Sequence, residues 1–177
     1  LNAFSNLTHK TKFLKDLFNY KKNNNLNSIS LSTNPDKKNE IYEILNPNNL
    51  DEEMVKIIYN MKNAGYKVGL FSNIDEDSLQ WLANKNQIIN SLLKEFDLKI
   101  ITSKENNYLK KSDPKAFDNC KEKINQQLGQ GFSPVLIDDS IEKINIAKTK
   151  NYKTYHFKTI SEFKKYIKKV APKIDCD

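Results

Sequence analysis

Val135-Leu136-Ile137-Asp138-Asp139-Ser140 is the stretch that decides the fold. Three apolar residues run directly into two acids, and a helical pattern of apolar residues begins at Ile141. A short apolar run between Pro134 and paired acids predicts a strand over 134–137, followed by a helix over 141–150. Two adjacent carboxylates repel each other unless a cation or a helix N-terminus compensates, so Asp138 and Asp139 mark a site.

Outward from this stretch the same alternation repeats. Strands are predicted over 67–71, 98–102 and 152–157, and helices over 77–94, 114–127 and 161–170. Thr159 and Glu162 form a capping box for the last helix. Strands and helices alternating at this length imply right-handed crossovers and a parallel sheet with helices on both faces. In such sheets the working residues gather at the carboxyl ends of the strands. Here these are Ser72-Asn73, Ser103, Asp138-Asp139 and the loop leading to Lys111.

The region before Gly65 is less regular. Helices are predicted over 11–20, 36–45 and 50–63, with a brief alternating strand over 28–32 that Asn34-Pro35-Asp36 ends. Pro47 breaks the second of these helices and Gly65 stops the third.

The 177 residues, 38% hydrophobic and 29% charged, suffice for one compact domain with a small helical appendage. The net charge of +7 is spread over most segments, with a mild cluster at Lys164, Lys165, Lys168 and Lys169. Solvated helix faces explain that distribution, which argues against a nucleic-acid partner. No run of about 18 apolar residues and no signal-peptide pattern occurs, giving a reading as a soluble, cytoplasmic protein with no membrane partner. Cys120 and Cys176 have neither metal-ligand nor disulfide-framework spacing and read as free thiols. His9 and His156 read as structural, and Trp81, Leu82, Leu92, Leu93 and Phe96 as core.

Taken together, Val68-Gly69-Leu70-Phe71-Ser72-Asn73, Lys111-Ser112-Asp113-Pro114 with Phe117, and Val135 to Ser140 with Ile144 and Ala147 resemble a known pattern. They are similar to the second, third and fourth motifs of the haloacid dehalogenase (HAD)-like hydrolase superfamily, across residues 50–157. The resemblance implies an α/β fold, a HAD-like Rossmannoid three-layer α/β/α arrangement with a mostly parallel sheet. Residues 51–177 would form this core and residues 1–50 the remnant of a helical cap. It further implies Mg²⁺-dependent hydrolysis of a small phosphorylated metabolite through an aspartyl intermediate, with dehalogenase chemistry as another use of the same scaffold.

A phosphoryl group in transfer spreads negative charge over its oxygens, so catalysis rests on positioning and cationic stabilisation. On the resemblance, Ser72 binds a phosphoryl oxygen and Lys111, with Lys110 as the competing lysine, neutralises charge on nucleophile and substrate. Asn73 assists through its amide or caps the next helix, and Asp138 and Asp139 hold Mg²⁺. Ser112 stands where the family has proline, Lys143 where asparagine is frequent, and Asn151 where glycine is usual; asparagine tolerates the left-handed backbone such a position needs.

The first family motif, an apolar strand ending Asp-x-Asp, is not found. Asp16, Asp36 and Asp51 end no strand, Asp75-x-Asp77 lies beyond Ser72, and Asp175-x-Asp177 follows the polar, proline-containing Ala171-Pro172-Lys173-Ile174. In the family that strand lies centrally, between the strands here ending at Phe71 and Ile137, so either Ser28–Ser32 fills the slot or, as favoured, the nucleophile lies upstream of Leu1 and the present chain is inactive by itself. The alternative is a catalytically degenerate HAD-like domain serving as a binding module.

Overall fold

Asp51 opens the first helix, α1 (Glu52–Asn63): its carboxylate accepts the Met54 N–H at 3.0 Å, and Glu52 and Glu53 place negative charge on the first turn. One face of α1 buries Met54, Ile57, Ile58 and Met61. Gly65, at φ +84°, turns the chain out of the helix, a conformation costly for any residue with a Cβ. The computed structural model describes residues 50–176. His9, the predicted helices over 11–20 and 36–45, the strand over 28–32 and nearly all of the cap assigned to 1–50 lie outside the described residues.

The alternation beyond Gly65 is present as β1 (Gly69–Asp75), α2 (Glu76–Lys85), α3 (Gln87–Glu95), β2 (Leu98–Thr102), α4 (Pro114–Leu128), β3 (Val135–Asp138), α5 (Ile141–Thr149), β4 (Lys153–His156) and α6 (Ile160–Val170). A 3₁₀ turn, Lys104–Asn106, follows β2. The single helix expected over 77–94 is two. Asn86 is extended, and its Oδ1 accepts the Ile88 and Ile89 N–H groups at 2.8 and 3.2 Å, so it ends one helix and caps the next. At α6 Thr159 serves as the N-cap expected of it, its Oγ1 accepting the Glu162 N–H at 3.2 Å. Asn151 takes φ +57°, the left-handed turn foreseen for it.

All strand pairing among the described residues is parallel: β1 with β2 and β3 with β4. The continuous sheet expected from the sequence is thus divided into two strand pairs, with no ladder between β1 and β3 among the described residues. Successive strand residues enter opposite apolar clusters. Leu70 and Ile137 join the cluster containing α1 and α6, while Phe71 and Leu136 join the one containing α4 and α5. At the centre of the second, the fully buried Phe117 meets Phe71 and Tyr152 edge-to-face, with ring centroids 5.2 and 5.6 Å apart. Leu82, Leu92 and Phe96 are buried in the first cluster, with Trp81 and Leu93 packed against it. Both cysteines are free and buried. Among the described residues no helix is long and apolar enough to cross a membrane.

Candidate functional site

The site begins with a break in a ladder. Gly69, Leu70 and Phe71 pair with Leu98, Lys99 and Ile100, but the next pair is Asp75 with Thr102, so β1 bulges over Ser72, Asn73 and Ile74. A bulge releases side chains from the regular alternation and re-aims them. Asn73 uses this freedom: its Oδ1 accepts the Lys111 backbone N–H at 2.7 Å, tying the end of β1 to a loop 38 residues away. Asp75, not Asn73, caps the following helix, its two oxygens accepting the Ser78 N–H and hydroxyl at 2.8 and 3.0 Å. The Ser72 hydroxyl accepts the Ile74 N–H at 3.3 Å, a local bond within the bulge.

Lys111 arrives from the other side of the bulge. Asn106 braces its loop by donating to Ile101 O and Ser103 Oγ, at 3.0 and 3.1 Å. Asn107 and Tyr108 then turn through φ +52° and +53°. Asp113 donates its N–H to Lys110 O at 2.8 Å and caps α4 through Lys115 N, with Pro114 in the first helical turn. The turn thus forms with Ser112 before Asp113. Of the two competing lysines, Lys110 is exposed and Lys111 is buried at 4% exposure.

The Lys111 ammonium lies 2.5 Å from Asp138 Oδ2 and 5.6 Å from the centroid of the Phe71 ring. Asp138, 1% exposed at the end of β3, accepts the Ser140 N–H on Oδ1 at 2.9 Å, and its carbonyl accepts Phe157 N–H at 2.9 Å. Asp139 is half-buried, and its carbonyl meets His156 Nε2 at 3.1 Å. Lys111 therefore joins the carboxyl ends of β1 and β3 through two bonds, one at its backbone and one at its ammonium. A buried pair of this kind persists only because each charge satisfies the other; leaving either one unpaired is costly.

The sequence places Asn73, Asp138 and Asp139 at strand ends and Lys111 in a loop before a helix, and the fold brings Lys111, Asn73 and Asp138 into one bonded chain. Sequence reasoning missed Asn106, Phe71 as the ring beneath the ammonium, and the Ser140 N–H. The helical start after Ser140 was the available signal for that last donor. Burial pushes the Cys120 thiol above the usual thiol range, away from the reactive thiolate.

For a cation, the donors are the Asp138 and Asp139 carboxylates. Among the described residues no cluster of three or more His, Cys, Asp or Glu forms a complete cage. Mg²⁺ commonly takes one or two protein carboxylates and completes its shell with phosphate oxygens and water, so this pair fits it in donor chemistry.

No family model, no curated protein and no solved structure matches this chain. Fold and site define a class: a mixed α/β domain of parallel strand pairs with a buried Lys–Asp pair at the carboxyl ends of its strands.

Proposed function

We propose that the chain is a HAD-like hydrolase of phosphatase type, acting with Mg²⁺ on a small phosphorylated metabolite, and that its strands belong to a three-layer α/β/α core. The observation that carries this reading is the buried Lys111–Asp138 pair at the end of β3, tethered to the end of β1 by Asn73. Asp138 and Asp139 hold the cation, which when bound neutralises phosphate charge. Lys111 supplies a fixed positive charge whose position does not have to reorganise during reaction. Asn73 positions Lys111, and Ser72, freed from the ladder by the bulge, binds a phosphoryl oxygen. The attacking aspartate of such a reaction is not found among residues 50–176. Asp75 is committed to capping α2, and Asp138 to Lys111 and Ser140.

That same commitment favours a second reading, a degenerate HAD-like domain that binds Mg²⁺ or an anion without turnover. Incubation of the 177-residue chain with Mg²⁺ and an aryl phosphate is expected to give no turnover above the uncatalysed rate. Robust turnover abolished by Asp138→Asn would instead show that the nucleophile lies within the chain. In calorimetric titration with Mg²⁺, Asp138→Asn and Asp139→Asn are each expected to weaken binding by roughly tenfold or more, as loss of one charged ligand does. Mg²⁺ affinity unchanged in both variants removes the metal site, and with it the hydrolase reading.

A further inference from the structure

The lysines are scattered along the whole chain, but the acids are not. Residues 143–174 hold ten lysines and one acid, Glu162, a net charge of +9, whereas the other 145 residues hold 19 lysines and 21 acids. The entire excess of positive charge therefore comes from α5, β4, α6 and the segment after it. Residues 1–49, with seven lysines and four acids, do not offset it.

These elements meet at one end of β4. Tyr152 donates its N–H to Ala147 O at 3.1 Å, which brings the last turn of α5 to the start of the strand. Phe157 meets Phe163, while Tyr155, earlier in β4, stacks on Tyr166, later in α6, so α6 runs back along β4 and ends where the strand begins. Lys148, Lys153, Lys165, Lys169 and Lys173 lie on these segments, exposed and without an acidic partner among the described residues. Lys165 and Lys169, four apart, share one helix face. By contrast Lys143, Lys150 and Lys164 pair with Glu142, Asp118 and Glu53. The C-termini of α5 and α6 call for roughly one positive charge between them, about 0.5 each. Five lysines exceed that several-fold, and they repel one another until a counter-charge arrives.

Flat rings stand at the same end of the domain. β1 and β3 share their carboxyl end, because Lys111 binds Asn73 at one and Asp138 at the other, and β4 is parallel to β3, so all three begin at the opposite end. There Tyr66 and Phe132, 41% and 44% exposed, precede β1 and β3. We infer that this end of the domain binds single-stranded nucleic acid without sequence preference, the lysines meeting phosphates and the two rings stacking on bases. The chain has 29 lysines and no arginine, and an ammonium neutralises phosphate as a point charge, without the planar fork that selects a partner's geometry. An anionic membrane shares the charge but also takes up an apolar helix face, and that of α6, Phe163 and Ile167, is buried in the core. The inference is independent of the hydrolase reading, whose site lies at the carboxyl ends of the strands.

The test titrates the full 177-residue chain into a fluorescein-labelled oligothymidylate of about 15 nucleotides and follows anisotropy at several salt concentrations. Five phosphate contacts give a slope of log K against log salt of about −3.5, a loss of about 100-fold between roughly 50 and 200 mM. Replacing Lys153, Lys165 and Lys169 together by glutamine should reduce that slope to about −1.5. The control replaces Lys85, Lys94 and Lys104, which are exposed elsewhere, by glutamine and removes the same net charge. Its slope should stay near wild type. Tyr66→Ala and Phe132→Ala should each weaken binding about fivefold or more. Equal loss in both lysine triples overturns the inference, since net charge alone then explains binding. So does unchanged affinity in both ring variants, tighter binding of a duplex of the same length, or binding of phosphatidylserine vesicles with none of the oligonucleotide.

Discussion

Lys111→Met removes the ammonium while keeping most of the side-chain stem, so it isolates the charge. In the native protein the side chains of Lys111 and Asp138 are 4% and 2% exposed and their charged atoms are 2.5 Å apart. The variant leaves the Asp138 carboxylate buried, without that ammonium, while retaining the Ser140 N–H. Breaking a buried pair from one side costs about 3–5 kcal/mol. A domain of this size is stable by roughly 5–15 kcal/mol, so the loss consumes a large part of the total without necessarily unfolding the protein. With a urea slope of about 2 kcal/mol per molar, the unfolding midpoint is expected to fall by roughly 1.5–2.5 M. Adding Asp138→Asn removes the stranded charge, and the double variant is expected to recover about 2 kcal/mol relative to Lys111→Met alone. A single variant costing less than about 1 kcal/mol, or a double variant no more stable than the single, would refute the claim that the two charges hold each other.

Asn151→Val is expected to lower stability by about 1–2 kcal/mol, because φ +57° brings Cβ against the following carbonyl, whereas Asn151→Gly stays near wild type; thermal melts of both variants check this. Phe117→Ala, which empties the ring position between Phe71 and Tyr152, should cost about 3–5 kcal/mol in urea unfolding. Burial raises the Asp97 carboxyl, but hydrogen bonds from Lys62, Val68 N–H and Lys67 outweigh it and hold the group below its ordinary value. The unfolded chain, with an aspartate pKa of about 3.9, takes up the proton first as pH falls, so this stabilisation is full above about pH 4 and disappears through the lower folded value. Asp97→Asn should therefore be less stable than wild type at pH 7, with the gap closing below about pH 4 in urea titrations.

The order and type of the elements from Glu52 onward were readable because each signal is local. Asp51, Thr159 and Glu162 act within one helical turn, and the apolar runs at 68–71 and 135–137 are too short and too continuous for helices. Asn86 was misread for a related reason. Its neighbours keep helical periodicity on both sides, and only the capped geometry shows that one helix ends there and another starts. At the site, sequence determined the residue types and their positions at strand ends, Ser72-Asn73 and Asp138-Asp139, with two lysines between as candidates. Tertiary structure chose Lys111 over Lys110, because only the fold decides which of two adjacent side chains faces the interior and meets Asp138. It also turned Asn73 from a possible helix cap into the tether of that lysine, through a bulge created by the mismatch between β1 and β2. The parallel pairing of β1 with β2 and of β3 with β4 was likewise fixed in three dimensions. Pairing is a contact between distant segments, and no local periodicity reports whether a given strand edge is filled.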